Sequence, residues 1–155
     1  MKDLTFFNTL EDLDAESKYL VHKAKDAALS AYAPYSKFCV GAALILDDGT
    51  VVTGSNQENA AYPLCMCAER VALYAAVSQH PGKAIKKMAV VAHKKKHKEL
   101  VDATSCGACR QVMLEFESRQ KGSIQVVMLE NGKWVLCSSA AVLLPLSFSS
   151  TNLKD

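Results

Sequence analysis

No stretch of this chain approaches the roughly twenty consecutive apolar residues that a membrane-spanning helix needs, so no helical membrane anchor is expected. Net charge is nearly absent as well: at +2 it leaves no electrostatic footprint for nucleic acid or an anionic membrane, and neither is expected as a partner. There is no internal repeat and no low-complexity segment, which argues against a solenoid or a disordered linker. The start, Met1, Lys2, Asp3 and Leu4, mixes acidic and basic residues with no apolar stretch of signal-peptide length, and a cytoplasmic location is the expectation. What is present is 155 residues, 50% hydrophobic and 22% charged, the size and mix of one globular domain over 1–155 with a sizeable core.

Hydrophobic spacing divides the chain into alternating elements. Leu20, Ala24, Ala27, Ala28 and Ala31 recur at helical spacing and predict a helix over 14–33, where Pro34 disfavours helical geometry at the residue before it. Residues 38–46 and 50–54 flank Asp47, Asp48 and Gly49 and predict a hairpin. An alanine-rich helix over 67–77, a strand over 88–92, a helix over 106–118, and strands over 124–129 and 134–137 around Asn131 and Gly132 follow. A short last helix is expected from Ser138 or Ser139. Strands separated by helices tend to run parallel, so this order predicts an α/β fold: three α/β/α layers around a mixed five-stranded sheet. The basic run Lys94, Lys95, Lys96, His97 and Lys98 reads as a solvated loop.

Against this plain background stand six cysteines. In a reducing compartment, metal binding explains the closely spaced ones better than disulfides do, while Cys39 and Cys137 read as small buried side chains. Cys67 opens one predicted helix, and Cys106 with Cys109 opens another. Three thiolates suit one zinc and leave its fourth tetrahedral position for a water whose acidity the metal raises. A helix N-terminus favours negative charge and so the thiolate form. Glu69, two residues after Cys67, can direct a carboxylate at that water without joining the metal, and so carry protons. The excess negative charge calls for a cation nearby, for which Arg70 is the better candidate and Arg110 the weaker.

A ligand followed two residues later by glutamate, then a distant Cys-x-x-Cys pair, is the arrangement of zinc deaminases. Asn56, Gln57, Glu58, Asn59, Ala60, Ala61 and Tyr62, then Cys67, Ala68, Glu69 and Arg70, then Cys106, Gly107, Ala108, Cys109, Arg110 and Gln111 together resemble the homotetrameric cytidine deaminases. The resemblance spans most of the chain. It implies a cytidine deaminase-like fold, one Zn2+ per chain, and hydrolytic conversion of cytidine and deoxycytidine to uridine and deoxyuridine with release of ammonia, a pyrimidine salvage reaction. It also implies that Asn56 and Glu58 bind the ribose, that Phe38 packs near the pyrimidine, and that Ala60, Tyr62 and Phe148 reach a neighbouring subunit's site in a homotetramer with shared sites.

Two features depart from the simplest form of this pattern. A proline usually precedes the Cys-Gly-x-Cys segment in that family, and here the position is Ser105, a residue that caps helices well. Cys65 lies two residues before Cys67 and offers a fourth thiolate, which would close the metal and leave Glu69 idle. A third possibility is editing of a polynucleotide by the same metal chemistry. A glutamate beside the 3′-hydroxyl argues against it, because it would repel the phosphate that continues a strand.

Overall fold

The computed structural model describes residues 3–153; the charged start at Met1 and Lys2 lies outside them. The order is β1 (Leu4–Phe7), α1 (Ala15–Ala28), β2 (Phe38–Leu46), β3 (Val51–Ser55), α2 (Ala68–Gln79), β4 (Ile85–Lys94), β5 (Leu100–Val101), α3 (Gly107–Ser118), β6 (Gln125–Glu130) and β7 (Lys133–Cys137), with short 3-10 turns between and after them. The strands form one mixed sheet in the order β1-β7-β6-β4-β2-β3, and β5 pairs with β4. β4 and β6, separated by α3, run parallel; the remaining pairs are antiparallel.

Among the described residues the sheet therefore has seven strands, not the expected five. Both additional strands are short and carry weak patterns. β1 alternates exposed and half-buried positions and exists as a strand because β7 pairs with it, from Leu4 opposite Cys137 to Phe7 opposite Trp134. β5 is two residues added to the end of β4. β4 also runs further than 88–92, because Lys87, charged and only 5% exposed, is accommodated by Asp14, Glu16 and Ser17 at the start of α1.

α1 ends at Ala28, well short of the expected 33. Tertiary pairing takes the chain over: the Tyr32 amide donates to Asn56 O and Tyr32 O accepts from the Glu58 amide. The helix expected from Ser138 or Ser139 is instead a single 3-10 turn, Ala141–Leu143. Its approach is held by the Glu117 carboxylate, which accepts from the amides of Ile124, Ala140 and Ala141.

The three expected layers are present. Leu20, Val21 and Ala24 of α1 cover one sheet face over Ala43, Ala89, Val91 and Val127. Ala72 and Leu73 of α2 and Met113 and Phe116 of α3 cover the other over Leu44, Met88, Val90 and Val126. Small residues set the spacing. A Cβ at Gly54 of β3 would lie 2.5 Å from Ala68 O, so α2 rests directly on the strand and its first turn is held against the sheet. α2 and α3 lie on this same face and touch each other.

Candidate active site

Cys67 and Cys106 are the N-cap residues of α2 and α3, each with extended backbone, and neither thiol caps its own helix. Their sulfurs turn toward each other and lie 3.9 Å apart. With Cys109, buried one turn into α3, the three Sγ atoms all lie within 4.8 Å of one another. A tetrahedral zinc with Zn–S bonds of about 2.3 Å places its sulfurs about 3.8 Å apart. The donor set and its spacing thus fit one zinc held by three thiolates, as the chain order predicts.

Cys65 does not join them. Its sulfur is engaged by Asn59, accepting from the amide at 3.2 Å and donating to the carbonyl at 3.6 Å. A closed four-cysteine site is therefore not what this geometry forms. Arg70 Nη2 lies 3.7 Å from Cys67 Sγ. A hydrogen bond from the Cys109 thiol, together with Arg70, lowers the Cys67 thiol to about 5. The same contact and burial push the Cys109 thiol upward, so the three thiols do not all ionise together unless a further cation sits among them. Arg110 faces elsewhere, donating to Ser105 O and Leu143 O.

A cavity of about 460 Å³ opens beside the sulfurs, lined by Phe38, Asn56, Glu58, Cys67, Glu69 and Cys106. Glu69, on the first turn of α2, is 4% exposed, and burial raises its carboxyl above the ordinary value. A carboxyl poised in this way can both take and return a proton. Asn56 is anchored to β2: Oδ1 accepts from the Val40 amide at 2.8 Å and Nδ2 donates to Phe38 O at 2.9 Å. One amide hydrogen and one lone pair remain for a ligand. Glu58 Oε2 accepts from the amides of Tyr35 and Ser36. Hydrogen bonding from Ser36, side chain and then backbone, with the Tyr35 amide, holds that carboxyl below its ordinary value.

The structure thus gathers Phe38, Asn56, Glu58 and Glu69 with two of the three cysteines around one cavity. It does not bring Ala60 or Phe148 there; both are exposed. Tyr62, 69% exposed, instead lines an adjoining cleft with Tyr35, Ser36, Glu58 and Cys65. Asp102, Ala103 and Thr104 also line the cavity, and no sequence motif marks them. The only signal for them was their place in the loop that delivers Cys106. A larger cleft of about 660 Å³ lies between the ends of α2 and α3, away from the sulfurs. Two of its cations are already paired, Lys83 with Asp48 and Lys86 with Glu16.

A three-layer α/β fold with a three-thiolate metal centre and a buried carboxylate in one cavity defines a class, the zinc-dependent hydrolytic enzymes. The particular family follows from comparison: residues 14–124 match the model of the cytidine and deoxycytidylate deaminase zinc-binding region, and the chain belongs to that family. It is 42% identical over 135 residues to a cytidine deaminase of Sporosarcina psychrophila, covering 87% of this chain and 93% of the relative. It is 36% identical over 148 residues to one of Halalkalibacterium halodurans, covering 90% and 99%. The crystal structure of cytidine deaminase from Burkholderia pseudomallei superposes with a TM-score of 0.70 at 41% identity, covering 88% of this chain and all of that one.

Proposed function

We propose that this protein is a cytidine deaminase, one domain over 1–155, that hydrolyses cytidine and deoxycytidine to uridine and deoxyuridine with release of ammonia. The observation that carries the reading is the Glu69 carboxylate, buried in the same cavity as sulfurs spaced for zinc. Cys67, Cys106 and Cys109 would hold the zinc, which would lend Lewis acidity to a water beside Glu69. Arg70 offsets the thiolate charge at Cys67. Glu69 takes a proton from the water and delivers it to N3 of the cytosine ring, which makes C4 a better electrophile. The water oxygen bonds to C4, and Glu69 then moves the proton of that hydroxyl to the exocyclic amino group, so the C4–N bond breaks, ammonia leaves and the C4 carbonyl remains. Phe38 packs against the pyrimidine, while the free donor of Asn56 and the ionised Glu58 hold the ribose hydroxyls. Glu58 is low in pKa and pinned by two amides, so it stays an acceptor and disfavours a phosphate at the 3′ position. That supports a nucleoside over a polynucleotide.

We further read the working unit as a homotetramer in which Ala60, Tyr62 and Phe148 complete a neighbour's site. Support comes from their position outside the cavity and from the exposed aromatic surface of Tyr32, Tyr35, Tyr62 and Phe148. Light scattering tests this; a fully active monomer would refute it. We place the protein in the cytoplasm, where the three thiols stay reduced, and no helix among the described residues is long and apolar enough to cross a membrane.

The first experiment follows the fall in ultraviolet absorbance of cytidine with the purified protein and measures zinc in the same sample. Turnover with about one zinc per chain, as three ligands plus water require, is expected. The E69Q variant should retain zinc and lose turnover; sustained turnover in E69Q would remove Glu69 from the reaction.

A further inference from the structure

We propose that the basic turn after β4 is a positioning element of the ligand cavity, acting through the backbone amide of Lys95 and not through its charges. This rests on the deaminase reading and adds to it a support that stands outside the cavity. The segment from Pro34 to Phe38 leads from α1 into β2 and meets the cavity twice. The amides of Tyr35 and Ser36 hold the Glu58 carboxylate at 2.9 and 3.3 Å, and Phe38 itself lines the wall. Whatever fixes this segment fixes both.

Its path is strained. Lys37 has a φ of 59°, in the left-handed region that a residue with a Cβ rarely adopts. Such a conformation persists only where the surroundings impose it. The Phe38 amide donates to Ser36 Oγ at 3.1 Å, the Lys37 ammonium donates to Pro34 O, and the Lys95 amide donates to Lys37 O at 2.7 Å. Of these bonds only the last comes from a distant part of the chain.

The donor sits in a defined turn. Lys94 ends β4 opposite Phe38, and its carbonyl accepts from the His97 amide at 2.9 Å. Lys96 has a φ of 74°, while Lys95 keeps an ordinary negative φ. This is a type II turn with Lys95 at its second position and Lys96 at its third. The side chains of Lys94, Lys95, Lys96 and Lys98 are exposed and form no ion pair among the described residues, so what the turn contributes to the cavity is its backbone. Contacts of Glu58 with the ribose and of Phe38 with the pyrimidine form when substrate binds, so loosening their support acts on KM more than on kcat.

The test exploits the turn type. Lys95→Pro removes the amide donor, and proline is favoured at the second position of a type II turn, so the turn itself is kept. Lys95→Gln removes the charge and keeps the amide. In K95P, uridine affinity by calorimetry should fall about tenfold and KM for cytidine rise by a similar factor, the order of one lost hydrogen bond. Zinc content and kcat should stay within about twofold, and K95Q should bind uridine within about twofold of wild type. Where K95P does not fold, position 96 decides: Lys96→Gly suits a positive φ and should bind uridine as wild type does, whereas Lys96→Val strains the turn and should bind about tenfold more weakly. Wild-type uridine affinity in K95P, or in K96V where K95P does not fold, overturns the proposal. So does a K95Q as weak as K95P, or a K95P loss confined to kcat or zinc. A wild-type protein inert toward cytidine and deoxycytidine would instead fail the deaminase reading, before any variant is compared.

Discussion

At the scale of single residues, Asn56 and Cys65 show how contacts decide between roles that residue type leaves open. Asn56 ties Phe38 O to the Val40 amide, so it builds the wall of the cavity while offering its remaining donor to a ligand. Asn56→Ala should therefore cost about 2 kcal/mol in urea unfolding, the order expected for two backbone groups left unpaired, and should raise KM for cytidine in the folded fraction. A variant of wild-type stability with raised KM would assign Asn56 to ligand binding alone. Cys65 was a rival zinc ligand by spacing, and its bonds to Asn59 remove it from the cluster. Cys67, Glu69, Cys106 and Cys109 were legible in sequence because metal chemistry restricts ligand types and helix geometry restricts their spacing. Asp102, Ala103 and Thr104 were not, because nothing in their residue types reports which cavity a loop borders.

At the scale of elements, α1 depends on a charged cap and on a glycine. Asp14 is its N-cap, accepting from the Ser17 amide and hydroxyl and pairing with buried Lys87. Burial would raise its carboxyl, but the bonds from Ser17 and Lys87 prevail and lower it from 3.8 to about 2. Because the folded-state value lies below the unfolded one, this contribution is complete above the ordinary carboxylate range and disappears as pH falls through about 2. Asp14→Ala should thus destabilise by about 1 kcal/mol or more at pH 7, the usual cost of a lost cap. The gap from wild type should shrink between pH 5 and pH 3 in denaturant titrations; a gap independent of pH would show that the charge of Asp14 contributes nothing. Gly41 of β2 faces the same helix, and a Cβ there would lie 1.9 Å from Ala24 O and 2.6 Å from Ala28 N. Both are backbone atoms that cannot step aside, so Gly41→Ala should cost about 3 kcal/mol or leave the protein insoluble. A wild-type melting temperature in that variant would mean that α1 can lift from the sheet. Helix and strand identities were readable from periodicity, whereas the ends of α1, β4 and the 3-10 turn after β7 were set by Tyr32, Lys87 and Glu117, each bonded to residues distant in the chain.

At the scale of the whole molecule, the three cysteines link the start of α2 to the start of α3, so zinc bound there is expected to stabilise the fold as well as the reaction. Excess chelator should lower the melting temperature by about 5 °C or more, with restoration on adding zinc, since binding to the folded state adds to its stability. A chelator-insensitive melting point would show that the sheet and helices position the three thiols unaided. The layered α/β plan, the three cysteines that could hold zinc and the glutamate proposed to carry protons were legible in the sequence by itself, because hydrophobic period and the chemistry of thiolates and carboxylates act over a few neighbouring residues. The two added strands, the exclusion of Cys65, the anchoring of Asn56 and the bond from Lys95 to Lys37 were decided only by tertiary structure. Each depends on which distant backbone group or buried side chain arrives beside it, and local pattern carries no record of that.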